Sequence, residues 1–273
     1  MCTVNCYKTC INKNFLMNKK LLLHAQEIIT ELNIKSIVGR PSIDFVRGLN
    51  GIYYVLRTGI IWQALPRCFG SYSAVHRLFQ KLRAAGFFTK LWYRELQEYD
   101  VRHGLNLEIQ AGDCSHIKAP LGREKTGKSP VDRRKLGTKR SIIVEKNGIV
   151  IGAALGSGNQ HDSKLFEESI RSIPACIPNP RYKEMHLDCA YDSKYIRVIL
   201  FNFYYIPKIG KNKRASKSKI IQKTEKKRWI VESAHSWMNR FRRLLIRFEK
   251  FAANYLALMQ FSFSITIFNK IGV

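Results

Sequence analysis

The spacing of the apolar residues differs between the first part of the chain and the part that follows, and that difference limits the folds open to it. Between Ile43 and Leu56, apolar residues recur every three or four positions, which predicts an amphipathic helix. Residues 140–144 and 149–155 are instead short apolar runs on either side of Asn147-Gly148, a dipeptide typical of a tight β-hairpin turn. The sequence therefore predicts a helical first part followed by a part built on a sheet.

The first part contains several helix patterns whose ends are marked by Ser, Gly or Pro. Short helices joined by turns resemble a small helix-turn-helix-like module, which can place one helix in the major groove of DNA. An ordinary helical bundle with solvated basic residues is the alternative. The predicted helices run from about Lys19 to Leu32, from Ile43 to Leu56 after an N-cap at Ser42 and before Gly59, between Ser71 or Ser73 and Gly86, and from about Thr89 to Tyr99.

The second part alternates between strand and helix patterns. Strands are predicted at 106–111, at 140–144 and 149–155 in the hairpin, before Asp188 and at 204–207, with helices at 163–173 and 193–202. This order predicts an α/β fold in which a mixed sheet is flanked by helices. We divide the chain into a lead-in at 1–38, a helical domain at 39–103 and a sheet-containing domain at 104–273.

The segment from Phe251 to Phe268 carries no charge and is nearly long enough to span a membrane. It also contains several polar residues, including Asn254 and Gln260, so we predict a buried core helix and no membrane association. Seven cysteines with no Cys-x-x-Cys pair indicate neither a disulfide framework nor a zinc ribbon. A reducing, cytoplasmic location fits this usage best.

The charge of the chain indicates a polyanionic partner. Lys and Arg number 47 against 20 Asp and Glu, which gives a formal net charge of +27. The excess is concentrated in residues 208–228, a segment with almost no large apolar side chains. Such a segment is typical of a loop that becomes ordered against phosphates, with an affinity that falls as salt rises. A basic loop that is merely solvated is the alternative.

Three acidic residues stand where a carboxylate has a chemical use. Asp113 and Asp188 each end an apolar strand pattern, where a charge is costly without a partner. Glu232 lies in an amphipathic helix pattern, where it could instead pair with Arg228 one turn earlier. Other acidic residues have simpler explanations as helix N-caps, namely Asp162 and Asp192.

Two strand-end carboxylates and one helix carboxylate can meet at one edge of a sheet. Clustered carboxylates repel one another, so such a site is stable mainly with hard divalent cations. Because every proposed ligand atom is a carboxylate oxygen, Mg²⁺ is favoured over Zn²⁺. In so basic a chain, this site predicts metal-assisted phosphodiester chemistry on nucleic acid.

The motifs around these carboxylates resemble a known family, the DDE transposases of bacterial insertion sequences, in the insertion-sequence-five group. The resemblance covers about Gly39 to Phe268 in the expected order. It rests on the motifs Gly112 to Pro120, Asn159 to Lys164, Leu187 to Ser193, Arg228 to Glu232 and Asn239 to Leu244, and on the helical-region matches Gly39-Arg40-Pro41, Leu56 to Gly59, Trp62, Leu65-Pro66 and Phe69-Gly70.

The resemblance implies a ribonuclease-H-like catalytic domain in which Asp113, Asp188 and Glu232 hold two Mg²⁺ ions, with Mn²⁺ as a substitute. It implies a transposase that binds the inverted terminal repeats of its own element, cleaves double-stranded DNA there and joins the ends to target DNA. A homodimer or larger assembly on DNA is then expected. The alternatives are a catalytically inactive remnant that represses the element, and a host nuclease of the ribonuclease H type.

The basic residues near these motifs are the candidate DNA contacts. Where this family often carries Tyr and Lys around the helix glutamate, this chain has Glu225 and Asn239, and the following arginines could supply the missing phosphate contact. The full set of DNA-binding candidates is Arg40, Arg57, Lys139, Lys211, Lys213, Arg214, Arg228, Arg240, Arg242 and Arg243.

Overall fold

The computed structural model describes residues 15–33, 43–130, 132–178, 180–210 and 229–272. In chain order, the elements are α1 (Lys19–Glu31), α2 (Phe45–Thr58), α3 (Tyr72–Ala84), α4 (Phe87–His103), β1 (Ile109–Lys118), β2 (Gly127–Lys128), β3 (Leu136–Glu145), β4 (Val150–Ser157), α5 (Asp162–Arg171), β5 (Lys183–Leu187), α6 (Lys194–Asn202), β6 (Tyr205–Ile209), α7 (Trp229–Asn239) and α8 (Ala252–Lys270). The described residues form two compact units: a helical unit, whose described residues fall within 15–95, 238–246 and 253–272, and a sheet unit, whose described residues fall within 96–210, 229–237 and 247–252.

The helices of the helical unit begin and end largely where local signals indicate. Ser71 caps α3, and Gly59 ends α2 with a left-handed φ of 75° that favours glycine. The cap of α2 is Asp44, which accepts a hydrogen bond from Arg47 N at 2.8 Å, so α2 begins two residues later than predicted. The cap predicted at Ser42 lies outside the described residues.

The connections between these helices differ in length. Two short 3₁₀ turns, Trp62–Ala64 and Arg67–Phe69, separate α2 from α3. Only Ala85 and Gly86 separate α3 from α4, and Gly86 has a φ of 71°. Tight turns between two helices occur both in αα-hairpins and in helix-turn-helix modules. The role of one of these helices in the major groove stays a prediction.

Aromatic side chains form much of the core of the helical unit. The ring of Phe88 on α4 lies 5.5 Å from Phe79 and 5.4 Å from Phe261 on α8, and Trp92 lies 5.2 Å from Phe263. Most of α8 therefore belongs to the helical unit, whereas the sequence analysis grouped it with residues 104–273. The division of function between those ranges stays a prediction.

The uncharged segment near the end of the chain forms a buried helix, as predicted. Ser262 and Ser264 on α8 are fully buried, and each hydroxyl donates to a carbonyl of the preceding turn, Met259 O or Gln260 O. Their polar atoms are therefore satisfied within the helix. Among the described helices, none combines the length and apolarity needed to cross a membrane.

The sheet has the strand order of the ribonuclease-H-like fold. Strands β4, β3 and β1 are antiparallel neighbours, and β1, β5 and β6 continue the sheet as parallel neighbours. The short strand β2 also pairs with the beginning of β3. Helix α5 connects β4 to β5, and α6 connects β5 to β6. The predicted mixed sheet with flanking helices is confirmed.

Strand β1 is displaced from its predicted position. It was expected at 106–111 with Asp113 just beyond its end, but it runs from Ile109 to Lys118. The residues after Asp113 stay extended because β3 pairs with them, from Cys114↔Ser141 to Lys118↔Gly137. Asp113 therefore lies in the middle of a strand.

Two acidic residues that were predicted to be helix N-caps have other roles. His161 caps α5, and Asp162 is the first residue of that helix. Ser193 caps α6, while Asp192 forms an ion pair with Arg197 at 2.6 Å. In both places the neighbouring side chain takes the capping position.

Glu145 fixes the hairpin between β3 and β4. Its buried side chain accepts hydrogen bonds from the main-chain nitrogens of Asn147 and Ile149, at 2.8 and 3.0 Å, and from Asn106 at 3.2 Å. We expect Glu145→Ala to lower the free energy of unfolding by about 2 kcal/mol, because the buried N–H of Ile149 and two less buried N–H groups lose their acceptor.

Urea denaturation of the Glu145→Ala variant measures this loss. Glu145→Gln is the matched control, because its amide oxygen retains one acceptor, and its loss should be clearly smaller. Equal stability of the Ala variant and the wild type would contradict the proposed role of Glu145.

Candidate active site

The sheet brings Asp113 and Asp188 to neighbouring positions. In the parallel pairing of β1 with β5, Ala111 lies opposite His186. Asp113 and Asp188 each follow two residues later, and Asp188 is still extended, with φ −71° and ψ 162°. Paired residues of parallel strands point to the same face, and neighbouring strands lie about 4.8 Å apart. The two carboxylates therefore occupy adjacent positions on one face.

Asp188 stands directly after β5, as predicted. Its Oδ1 also accepts a hydrogen bond from Cys189 N at 2.6 Å, which caps the short 3₁₀ turn Cys189–Tyr191. This capping bond is not among the roles predicted for Asp188. The bond fixes the position of one carboxylate oxygen at the strand end.

The opposite face of β1 is apolar and closely packed. A Cβ placed on Gly112 would lie 2.9 Å from Phe166 and 3.0 Å from Leu187, so only glycine allows α5 to pack this closely. Burial and the nearby Asp162 carboxylate raise the pKa of the Cys114 thiol to about 12. Cys114 therefore stays protonated at neutral pH and is not a nucleophile.

Helix α7 carries Glu232 near its first turn, with the side chain exposed. One turn later, the buried His235 places its Nδ1 3.2 Å from the hydroxyl oxygen of Ser115. Ser115 and Asp113 point to the same face of β1, because they are two residues apart on a strand. Helix α7 therefore lies on the face that carries Asp113, and Glu232 is one turn from the contact.

The contact between α7 and β1 belongs to a buried polar group of three residues. Arg140 on β3 lies opposite Ser115 and donates from Nε to Ser115 Oγ at 2.6 Å. Burial and the Arg140 charge lower the pKa of His235 to about 3, although a hydrogen bond with the backbone of Asp113 raises this pKa. His235 is therefore neutral at physiological pH.

No local sequence pattern assigns a role to Ser115, Arg140 or His235. The available signal was a histidine among the buried positions of α7, which include Val231 and Ala234. A polar side chain at such a position requires a partner. Its partners are far away in sequence, so the sequence alone could not identify them.

The donor chemistry of the three predicted carboxylates fits a hard divalent cation such as Mg²⁺ or Mn²⁺. However, within the part of the chain that the structure describes, no group of three or more His, Cys, Asp or Glu side chains could hold a metal ion. Register places Asp113 beside Asp188, and Glu232 lies on a helix that contacts the same strand. That the three carboxylates bind a metal ion together stays a proposal.

Half of the predicted DNA contacts fall outside the described residues. Among the described candidates, Lys139 lies in the sheet unit, and its Nζ forms an ion pair with Asp162 Oδ1 at 2.6 Å. Lys139 is therefore already engaged by a carboxylate. The candidates outside the described residues are Arg40, Lys211, Lys213, Arg214 and Arg228.

The remaining arginines lie in the helical unit. The Arg57 guanidinium stands 5.7 Å from the centre of the Phe241 ring. Arg243 is buried, and its Nη1 donates to Ile60 O at 3.2 Å, so it supports the fold and we do not retain it as a phosphate contact. Arg240 and Arg242 are exposed.

Comparison with known proteins gives matches along most of the chain. The family model described as "Transposase DDE domain" matches residues 104–267, and that described as "Putative transposase of IS4/5 family" matches residues 26–92. A curated protein of Burkholderia cepacia, "Putative transposase for insertion sequence element IS402", is 35% identical over 134 residues. That match spans 47% of this chain and 62% of the relative, less than two thirds of its length.

Solved structures give weaker similarities. The pre-cleavage Mos1 transpososome is 13% identical with a TM-score of 0.30, over 88% of this chain and 82% of that one. The catalytic domain of Mos1 mariner transposase is 12% identical with a TM-score of 0.29, over 68% and 92%. The ribonuclease-H-like assignment accordingly rests on strand order. With one family model covering more than half of its residues, the chain belongs to the DDE transposases, and its helical first part matches their IS4/5 branch.

Proposed function

We propose that this protein cleaves DNA at the ends of its own element and joins those ends to target DNA. The observation that supports it most is the juxtaposition of Asp113 with Asp188 across two parallel strands. The helix of Glu232 lies on the same face through the contact between His235 and Ser115. A protein that only binds DNA has no use for three carboxylates on one face.

In this proposal, Asp113, Asp188 and Glu232 hold two divalent ions, Mg²⁺ or Mn²⁺. When bound, such ions activate an attacking water or 3′-hydroxyl and stabilise the leaving oxygen. The three carboxylates of the chain would bind these ions and orient them. Asp188 has one oxygen fixed by Cys189 N, so its other oxygen has a defined direction.

The DNA partner follows from the charge and its distribution. With a net charge of +27, contacts to phosphates would dominate affinity and make it dependent on salt. We assign Arg240 and Arg242 as phosphate contacts, because both residues are exposed and a guanidinium group can donate two hydrogen bonds to one phosphate. Helices α3 and α4 are the proposed groove-binding pair. Synapsis of two element ends requires at least a dimer.

The test uses a supercoiled plasmid that carries the DNA flanking the coding region on both sides. We expect cuts at the inverted repeats in Mg²⁺ or Mn²⁺, none in EDTA, and joined products after longer incubation. Specific binding of the repeats with no cutting in either metal would contradict the proposal and favour a repressor. Cutting confined to RNA–DNA hybrids would instead indicate a nuclease of the ribonuclease H type.

A further inference from the structure

We propose that His235 is a positioning residue for Glu232. Through Ser115 and Arg140, it fixes helix α7 against the strand that carries Asp113. This inference rests on the proposed function, because it assigns the contact a role in forming the carboxylate site. Nothing in the family resemblance or the sequence pattern indicates this role.

One hydrogen bond of the group has a fixed direction. A guanidinium can only donate, so Arg140 Nε donates to Ser115 Oγ at 2.6 Å. Ser115 Oγ and His235 Nδ1 form the second hydrogen bond, at 3.2 Å, and either atom can donate in it. An apolar side chain at position 235 can take neither role, whereas an amide side chain offers both a donor and an acceptor.

The contact of His235 affects the position of Glu232 because the two residues are close together on α7. Glu232 and His235 are three residues apart, so they lie on neighbouring sides of α7 and are separated by less than one turn, roughly 5 Å along the axis. A shift or rotation of α7 at His235 therefore moves the Glu232 carboxylate by a similar distance. Displacements of about 1 Å at reacting groups can lower rates by roughly 100-fold.

The buried side chains beside His235 on α7 within the sheet unit are apolar, namely Ile230, Val231 and Ala234. Apolar packing holds a helix against a sheet but specifies its rotation less sharply than a directed hydrogen bond does. The buried Arg140, at 1% exposure, anchors the bond on the side of the sheet.

The experiment compares four single variants and the double variant His235→Leu with Ser115→Ala. His235→Leu removes both ring nitrogens, His235→Asn restores a group that can hydrogen-bond near the Nδ1 position, and Ser115→Ala removes the hydroxyl from the other side. Ser236→Ala, on the exposed side of α7, is the matched control. For each protein, Mn²⁺ affinity is measured by electron paramagnetic resonance, kcat and KM by cleavage of end-containing DNA, and stability by urea denaturation.

We expect His235→Leu and Ser115→Ala each to weaken Mn²⁺ binding and lower kcat by roughly 10- to 100-fold, the usual effect of losing a residue that orients a ligand. The KM for DNA should stay unchanged, and His235→Asn should recover most of the loss. In the double variant, the two changes together should cost no more than either alone. If His235→Leu does not fold, Ser115→Ala tests the same bond.

Several results would overturn the inference. Wild-type Mn²⁺ affinity in both His235→Leu and Ser115→Ala would do so, as would equal losses in His235→Asn and His235→Leu. Failure of the proposed function has a different signature: the wild type binds Mn²⁺ but leaves DNA intact, and the Mn²⁺ affinities of the variants then still decide the role of His235. A wild type that binds no Mn²⁺ would sink both proposals.

Discussion

Asp188→Asn lowers metal-dependent cleavage of element ends on the order of 10³-fold or more, an expected loss of about 4 kcal/mol in transition-state stabilisation. The asparagine oxygen can still accept the hydrogen bond from Cys189 N, so the turn after β5 is preserved. What disappears is the negative charge that would hold a cation beside Asp113. The loss should therefore fall on catalysis and metal affinity, with DNA binding and stability close to those of the wild type.

Rates of strand cleavage in Mg²⁺, measured with saturating enzyme, test this expectation. The matched control is Asp192→Asn, the same chemical change four residues later, where the carboxylate pairs with Arg197 at 2.6 Å. Its cleavage rate should stay within about threefold of the wild type, because an exposed ion pair contributes little. Comparable rates for Asp188→Asn and the wild type would remove Asp188 from the mechanism.

Arg247→Met should lower the free energy of unfolding by about 4 kcal/mol. Arg247 is 1% exposed, and its side chain joins the segment 247–252 to the residues from Glu124 to Thr138. Methionine fills much of the same volume but donates no hydrogen bond, so two buried and three part-buried hydrogen bonds would be lost. The acceptors of these bonds are Thr138 Oγ1 at 2.6 Å, Glu124 O at 2.7 Å, Glu249 O at 2.9 Å, and Lys125 O and Lys250 O at 3.4 Å.

Equilibrium denaturation in urea, followed by tryptophan fluorescence, gives the value for Arg247→Met. Lys250→Met is the control: it also removes one positive charge from this segment, but from an exposed position, and should change stability by less than about 0.5 kcal/mol. Arg247→Lys should fall between the two, because one ammonium cannot reach all the acceptors. A loss below about 1 kcal/mol for Arg247→Met would show that the acceptors find other donors.

Elements with strong local signals could be predicted from the sequence. The hairpin around Asn147-Gly148 formed as expected, because Gly148 adopts the positive φ of 75° that this turn requires. Helix α1 ends within one residue of its predicted boundary, and α6 begins within one. Asp188 follows its strand directly, because the apolar run before it matches the buried length of β5.

Features that depend on distant pairing could not be predicted. The extension of β1 to Lys118 requires β3 as a partner, and the polar residues after Asp113 gave no local sign of it. The contact between Ser115 and His235 joins residues 120 positions apart. Likewise, the apolar sequence of α8 indicates that this helix is buried, but it does not indicate which elements the helix packs against. Only the folded arrangement identifies these partners.

The packing of α8 against α4 has a consequence for synthesis on the ribosome. Phe261 and Phe263 fill part of the core around Phe88 and Trp92, yet they are translated more than 150 residues later. A nascent chain can therefore complete its sheet before its first helices have a full core, which reverses the usual order in which amino-terminal units fold first. The proposed groove-binding helices would complete their folding only after α8 has emerged from the exit tunnel.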